Sequence, residues 1–250
     1  MMAEISRRIR AVFFDLDETL VDDDRCMREA VDRVCRTICA RYPQVDPGLL
    51  GDTYIETAKE KWTGFGNVPR ASGSTASVGS EIRLEVWSKA LVKYGLPIRH
   101  LAREAVELYS RERRAGYRPF PEVLEVLDVL RDRFILGVIT NGPGDVQREK
   151  LCLTGIEPLL QVTTISGELG VGKPEAGIFL ATLESVGVVP AEAVHVGDSL
   201  AADIAGARDA GMYTVWVNRN NTRRVQGDAC PDQEVTNLRQ LVSLLSQQGP

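Results

Sequence analysis

Apolar positions along the chain fall into two textures. Between residues 24 and 41, Met27, Ala30, Val31, Val34, Cys35, Ile38 and Cys39 recur at spacings of three and four, which lines one face of an α-helix. The same period runs through 48–62, 81–94 and 98–113, and Pro43, Pro47, Gly95 and Pro97 break the segments from one another. Inside this region TGFGNVPRASGSTASVGS, residues 63–80, is rich in Gly and Ser and carries no period, so it reads as a long loop. Residues 22–116 are expected to form an all-helical block.

From Tyr117 onward the texture changes. Helix-like EVLEVLDVLRDR gives way to the apolar run FILGVIT, then helix-like GDVQREKLCLTG, then QVTTIS. Helix-like PEAGIFLATLESVG, strand-like AVHVGD, helix-like LAADIAGARDAG and strand-like YTVWVN continue the alternation. Short, continuously apolar strands separated by helices imply a parallel sheet covered on both faces. A further strand, residues 10–14, precedes the helical block, so that block reads as an insertion. The expected architecture is an α/β, Rossmann-like doubly wound parallel sheet, residues 1–21 and 117–250, with an inserted all-α cap, residues 22–116. Residues 220–233 read as an exposed loop before a final helix.

Composition narrows the function classes. With 44% hydrophobic and 26% charged residues the balance is that of an ordinary globular protein. No apolar run approaches the roughly 18–20 residues that span a bilayer, and MMAEISRRIR lacks the apolar stretch of a signal peptide, so a cytoplasmic protein without a membrane partner is expected. Cys26, Cys35, Cys39, Cys152 and Cys230 include no CxxC pair, and His100 and His195 are the only histidines. A zinc site, a disulfide framework and a Ser-His-Asp triad have little material. Residues 22–116 carry 16 basic and 14 acidic side chains, while the rest of the chain has a net charge of −7. No basic run of the kind that binds nucleic acid is present.

In an open parallel sheet, ligands bind beyond the carboxyl ends of the strands. By that rule Asp15, at the end of the first strand, Thr140, at the end of FILGVIT, and Asp198, after AVHVG, converge at one edge. Lys173 follows QVTTIS through a short Gly-rich loop and joins them. A buried strand running into Asp15, Asp17 and Glu18 gathers negative charge that repels itself unless a cation sits among the acids. Carboxylates, a backbone carbonyl and water suit Mg²⁺. Lys173, Thr140 and the N–H groups around Asn141 and Gly142 can take a tetrahedral oxyanion. Singly, each of these residues has an ordinary explanation: a solvated turn, a helix cap at Asp198, a surface lysine. Their joint occurrence is what points to a phosphate beside a metal. His195, on an apolar strand, reads as a packed histidine, and Asp22, Asp23 and Asp24 as charges favourable to a helix N-terminus.

FFDLDETL, Thr140-Asn141-Gly142, Lys173-Pro174 and GDSLAAD at 197–203 appear in the order found in the haloacid dehalogenase (HAD) superfamily of phosphohydrolases, which the chain resembles over nearly its whole length. The helical block stands where that family carries a helical C1-type cap. The resemblance implies that Asp15 is the nucleophile forming an aspartyl-phosphate and Asp17 the general acid and base. It also implies that Mg²⁺ is held by Asp15, the Asp17 carbonyl and Asp198, that Thr140, Asn141 and Lys173 bind the phosphoryl group, and that Asp203 supports Lys173 or Asp198. The substrate implied is a small phosphorylated metabolite, a sugar phosphate or nucleotide. The motif forms are similar to the branch with acylneuraminate 9-phosphate phosphatases, nucleotidases and phosphoglycolate phosphatase-like enzymes. Trp62, Phe65 and Arg70 flank or lie within the cap loop and are candidates to touch the organic part of the substrate. The alternatives are a 2-haloacid dehalogenase, disfavoured because family dehalogenases usually carry a non-acidic residue where this chain has Asp17, and a catalytically silent binding protein of the same fold.

Overall fold

The computed structural model describes residues 8–62 and 78–246. Its first strand, β1 (Ala11–Phe14), is buried along its whole length, which explains why it is a continuous apolar run without alternation. Among the described residues, four helices follow before the chain returns to the sheet: α1 (Asp23–Cys39), α2 (Pro47–Trp62), α3 (Val78–Lys93) and α4 (Ile98–Gly116). Strand and helix then alternate through α5 (Val123–Arg131), β2 (Ile135–Thr140), α6 (Gly144–Thr154), β3 (Val162–Ile165), the single turn α7 (Ser166–Leu169), α8 (Ala176–Val186) and β4 (Ala193–Gly197). A π-helical segment, Leu200–Ile204, leads into α9 (Ala205–Asp209), followed by β5 (Tyr213–Val217), β6 (Gln233–Val235) and α10 (Arg239–Ser246).

The sheet is parallel throughout, in the order β3-β2-β1-β4-β5-β6. Because β1 lies between β2 and β4, the sheet reverses direction of winding beside it, the position where a doubly wound fold opens its crevice. Val12 and Phe14 face one layer, with Leu127 and Leu130 of α5 and Leu241 and Leu245 of α10. Phe13 and Ala11 face the other, with Ile178, Phe179 and Leu183 of α8 and Ala207 of α9. Each fully buried large side chain here contributes about 1.5–3 kcal/mol of transfer free energy.

Helices α1 to α4 pack around a core of their own, in which Val34, Ile38, Leu50, Tyr54, Trp87, Leu91 and Tyr109 are buried. Its centre is aromatic: Tyr54 and Trp87 lie 4.2 Å apart between ring centroids, and Tyr109 packs at 5.3 Å from Tyr54.

Two expectations need correction. The stretch 63–80 is not all loop, since 78–80 already belong to α3, where Gly79 lies so near Val146 of α6 that a Cβ would stand 2.4 Å from that side chain. Residues 63–77, with Phe65 and Arg70, and the side chain of Trp62 lie outside the described residues. Nor is 220–233 entirely exposed loop. Gln233 opens β6, a three-residue edge strand with alternating burial, too short to show a period in the sequence. Among the described residues, no helix is long and apolar enough to cross a membrane.

Candidate active site

The ends of β1, β2 and β4 meet as the topology requires. Asp15 follows β1, and its N–H donates to the Val196 carbonyl at 2.9 Å, so its position is fixed by the sheet ladder itself. Thr140 ends β2, and Asp198 follows β4 by one residue. Lys173 comes from the loop after α7, which Asn141 holds in place: the Asn141 side chain donates to the Lys173 carbonyl at 2.9 Å and accepts its N–H at 2.8 Å.

The Lys173 ammonium, 3% exposed, donates to Asp15 Oδ1 at 2.5 Å and to Asp203 Oδ1 at 2.6 Å. Both Asp203 oxygens accept hydrogen bonds: the same oxygen bonds His195 Nε2 at 3.1 Å and Oδ2 accepts the Ser199 N–H at 3.0 Å. Burial opposes the Asp203 charge, but Lys173 and His195 hold its carboxyl below the usual carboxylate range. Burial also lowers His195, whose ring packs edge-on against Phe179 at 5.0 Å. Gly197 is required beside this group, because a Cβ there would lie 2.3 Å from the Asp203 carboxyl carbon.

Asp15, Asp198 and Asp203 each offer an oxygen within 4.8 Å of the others. Burial, together with the neighbouring charges of Asp15 and Asp203, pushes Asp198 up to about 8. Burial likewise raises Asp15 to about 7, against the pull of Lys173. With all three carboxyls ionised, one ammonium would leave two negative charges uncompensated, a repulsion that adds to burial in pushing Asp15 and Asp198 up, and the oxygen-only donor set fits a hard divalent cation. Asp203 already accepts three hydrogen bonds whereas Asp15 accepts one, so Asp15 and Asp198 are the better carboxylate ligands. The Asp198 loop is tied from behind, where the Trp216 indole N–H donates to the Asp198 carbonyl at 2.7 Å.

Asp17 faces a second group of residues. Lys150, 2% exposed, donates to its Oδ1, and Gln147 donates to its Oδ2 at 3.2 Å. Burial raises the Asp17 carboxyl while Lys150 opposes the rise. Gln147 also reaches Thr140 Oγ1 at 2.7 Å, which links the two groups. The Gly142 N–H is not free to take an oxyanion, contrary to expectation: it donates to Ser166 Oγ at 3.0 Å.

Lys150 and Gln147 escaped the sequence reading, though a signal existed. Positions 147, 150, 151 and 154 form the buried face of α6, so three polar side chains, Gln147, Lys150 and Thr154, share the inward face with Leu151. Glu18 does not join the acidic cluster either. It adopts φ +60°, and its carboxyl accepts the Asp24 N–H at 2.6 Å, capping the first turn of α1. Asp23, expected only to favour a helix N-terminus, pairs with Lys150 at 2.8 Å and Arg113 at 2.6 Å. Arg219 locks the same turn by donating to the Thr19 carbonyl at 2.8 Å and to Glu122 at 2.7 Å.

A model of the haloacid dehalogenase-like hydrolases matches residues 9–211. Phosphoserine phosphatase of Thermus thermophilus is 40% identical, over 93% of this chain and 98% of its own. Human N-acylneuraminate-9-phosphatase is 28% identical, over 95% of this chain and 94% of its own. Among solved structures, a 2-haloacid dehalogenase from Pseudomonas syringae pv. Tomato superposes with a TM-score of 0.67 at 31% identity, covering 96% of this chain and 99% of that one. On the family match and the 40% identity along almost the full length, this chain belongs to the haloacid dehalogenase-like hydrolases.

Proposed function

We propose that the protein is a Mg²⁺-dependent phosphatase of a small phosphorylated metabolite, working through an aspartyl-phosphate on Asp15. The observation that carries this reading is the pairing of a lysine-held aspartate with a second carboxyl two residues on, beside a cluster of three carboxyls with one ammonium among them. Residues 22–116 act as the cap over this site. The Asp15 and Asp198 carboxylates and the Asp17 carbonyl would hold Mg²⁺, which when bound screens the nucleophile from the phosphate and polarises the phosphoryl group.

Lys173 uses two of its three N–H donors on Asp15 and Asp203, leaving the third for a phosphoryl oxygen. Thr140 Oγ1 accepts from Gln147 and donates only a long 3.4 Å bond to the Asn141 carbonyl, from which the hydroxyl can turn to a phosphoryl oxygen, and the Asn141 N–H supplies another donor. Asp15 Oδ2, the oxygen not held by Lys173, attacks phosphorus; the bond from phosphorus to the ester oxygen breaks, and the Asp17 carboxyl gives that oxygen its proton. Asp17, now a carboxylate, takes a proton from the water that attacks the aspartyl-phosphate, releasing inorganic phosphate and restoring Asp15.

The named relatives act on phosphoserine and N-acylneuraminate 9-phosphate, which favours a small phosphorylated metabolite here. The likeness to a 2-haloacid dehalogenase supports a second reading, displacement of halide from carbon by Asp15. That chemistry needs neither a metal nor an acid at Asp17, so one experiment separates the two. Phosphate release from p-nitrophenyl phosphate should require Mg²⁺ and stop with EDTA, while 2-chloropropionate releases no halide. Metal-independent halide release without phosphatase activity would reverse the assignment.

A further inference from the structure

Lys150 belongs to α6 of the sheet layer, yet it holds two carboxylates from different parts of the molecule. One is Asp17, in the turn after β1; the other, at 2.8 Å, is Asp23, the first residue of α1. On the far side Arg113, near the end of α4, donates to the same Asp23 oxygen at 2.6 Å and to the Asp23 carbonyl at 2.9 Å. An unbroken series of charge-assisted hydrogen bonds therefore runs from Asp17 through Lys150 and Asp23 to Arg113. Its cap end touches both connections of the inserted helices, since α1 begins just after the first crossing and α4 ends just before the second.

We propose that Lys150 is a positioning residue that aims the Asp17 carboxyl and ties that aim to the seating of the helical cap through Asp23 and Arg113. The proposal rests on the phosphatase reading. Three observations argue for it. A lysine with 2% exposure carries a desolvation cost that a purely structural position could avoid with an apolar side chain of the same length. Lys150 and Gln147 stand one helical turn apart and engage opposite oxygens of Asp17, which restricts rotation of that carboxyl. The four charges fall into two neutral pairs joined only by the Lys150–Asp23 contact: if α1 and α4 move away from α6, Asp23 and Arg113 leave together and Lys150 is left to Asp17 alone. The orientation of Asp17 thereby depends on where the cap sits.

The test compares kcat/KM for phenyl phosphate and p-nitrophenyl phosphate, a ratio that isolates the step in which the ester oxygen departs. Phenolate is a poor leaving group that needs the Asp17 proton, whereas the nitro group stabilises the departing p-nitrophenolate. K150M should lower the phenyl phosphate value by roughly 30-fold and the p-nitrophenyl phosphate value by less than about 3-fold, the pattern of a misplaced general acid. K150R should recover most of the loss, and D23N, acting from the cap side, should shift the ratio in the same direction by a smaller factor. Should K150M not melt cooperatively, the ratios in K150R and D23N decide by the same criterion. An equal fall on both esters, or no fall, overturns the proposal and leaves the phosphatase reading intact. A wild-type chain inactive on both overturns the two together.

Discussion

Two buried ion clusters lie side by side in this molecule, and they are built on opposite plans. Asp15, Lys173, Asp203 and His195 come from β4 and the segments that follow the strands of one sheet, with side-chain exposures of 9% or less, and with Asp198 they would carry two negative charges in excess when all three carboxyls are ionised. Asp17, Lys150, Asp23 and Arg113 span the seam between sheet and helical cap, and their charges cancel. Asp17 and Asp23 are also 36% and 21% exposed. The first cluster is held on one sheet and has the donor set a divalent cation would use; the second is neutral without one and can rearrange if the cap does. The contrast separates a site that must hold still, where charge develops, from one that can report the position of a neighbouring unit.

The sharpest way to break the contrast is Asp15→Asn. In a cluster overloaded with carboxylates, removing one relieves repulsion, so the melting temperature should hold or rise while phosphate release falls by more than about 10⁴-fold. Mg²⁺ should raise the melting temperature of the wild type by mass action and raise that of the variant much less. Calorimetric scans with and without the ion check both statements; a variant that keeps its turnover would remove Asp15 from the chemistry.

Lys173→Met attacks the same cluster from the other side. It leaves Asp15 and Asp203 buried without their shared cation, and the expected loss is roughly 3–5 kcal/mol of folding stability, together with activity. Urea unfolding monitored by circular dichroism measures it. A loss below about 1 kcal/mol would show that water reaches the pair and that the cluster is less enclosed than its burial indicates.

The same contrast explains what the sequence made legible. Asp15, Thr140 and Asp198 could be brought to one edge before any coordinates existed, because parallel strands expose their carboxyl ends together and each of these residues sits on a strand end. Lys173 followed from the same rule at one loop's remove. The helical periodicity of α1 to α4 was equally plain, since seven residues of α1 keep one buried face. Asp17 to Lys150 was beyond reach: the two are 133 positions apart, and nothing local in either segment names the other. Glu18 misled for a different reason. Three acids in four residues look like one cluster, but the left-handed turn at Glu18 sends its carboxyl to α1 instead. The edge strand β6 was lost because three residues cannot display a period of two convincingly.

A smaller effect is expected from Asp23→Asn. Burial works against the Asp23 charge, but Lys150 and Arg113 hold its carboxyl well below the usual carboxylate range. A carboxylate depressed on folding contributes stability that is present above its unfolded pKa, about 4, and is lost as pH falls towards the folded value. Wild-type stability should therefore decline below about pH 4, and the variant should decline less steeply there. At neutral pH the variant should be less stable by about 1–3 kcal/mol, reduced from the fully buried case because Asp23 is 21% exposed. Identical acid unfolding curves would mean that the seam is not held by this carboxylate.

The smallest effect isolates the turn that joins the two clusters. Glu18 sits between Asp17 and α1 in a left-handed conformation that costs a non-glycine residue about 1 kcal/mol, and its side chain returns a helix cap worth about the same. Glu18→Ala keeps the backbone cost and loses the cap, so it should destabilise by about 1 kcal/mol. Glu18→Gly loses the cap but relieves the backbone, and should lie close to the wild type. Unfolding midpoints of the two variants in urea give the difference directly. If glycine proved as damaging as alanine, the turn would owe its shape to Arg219 and to the Glu18 N–H bond to the Val21 carbonyl at 2.8 Å, and the cap on Asp24 would be the only contribution of the Glu18 side chain to the seam.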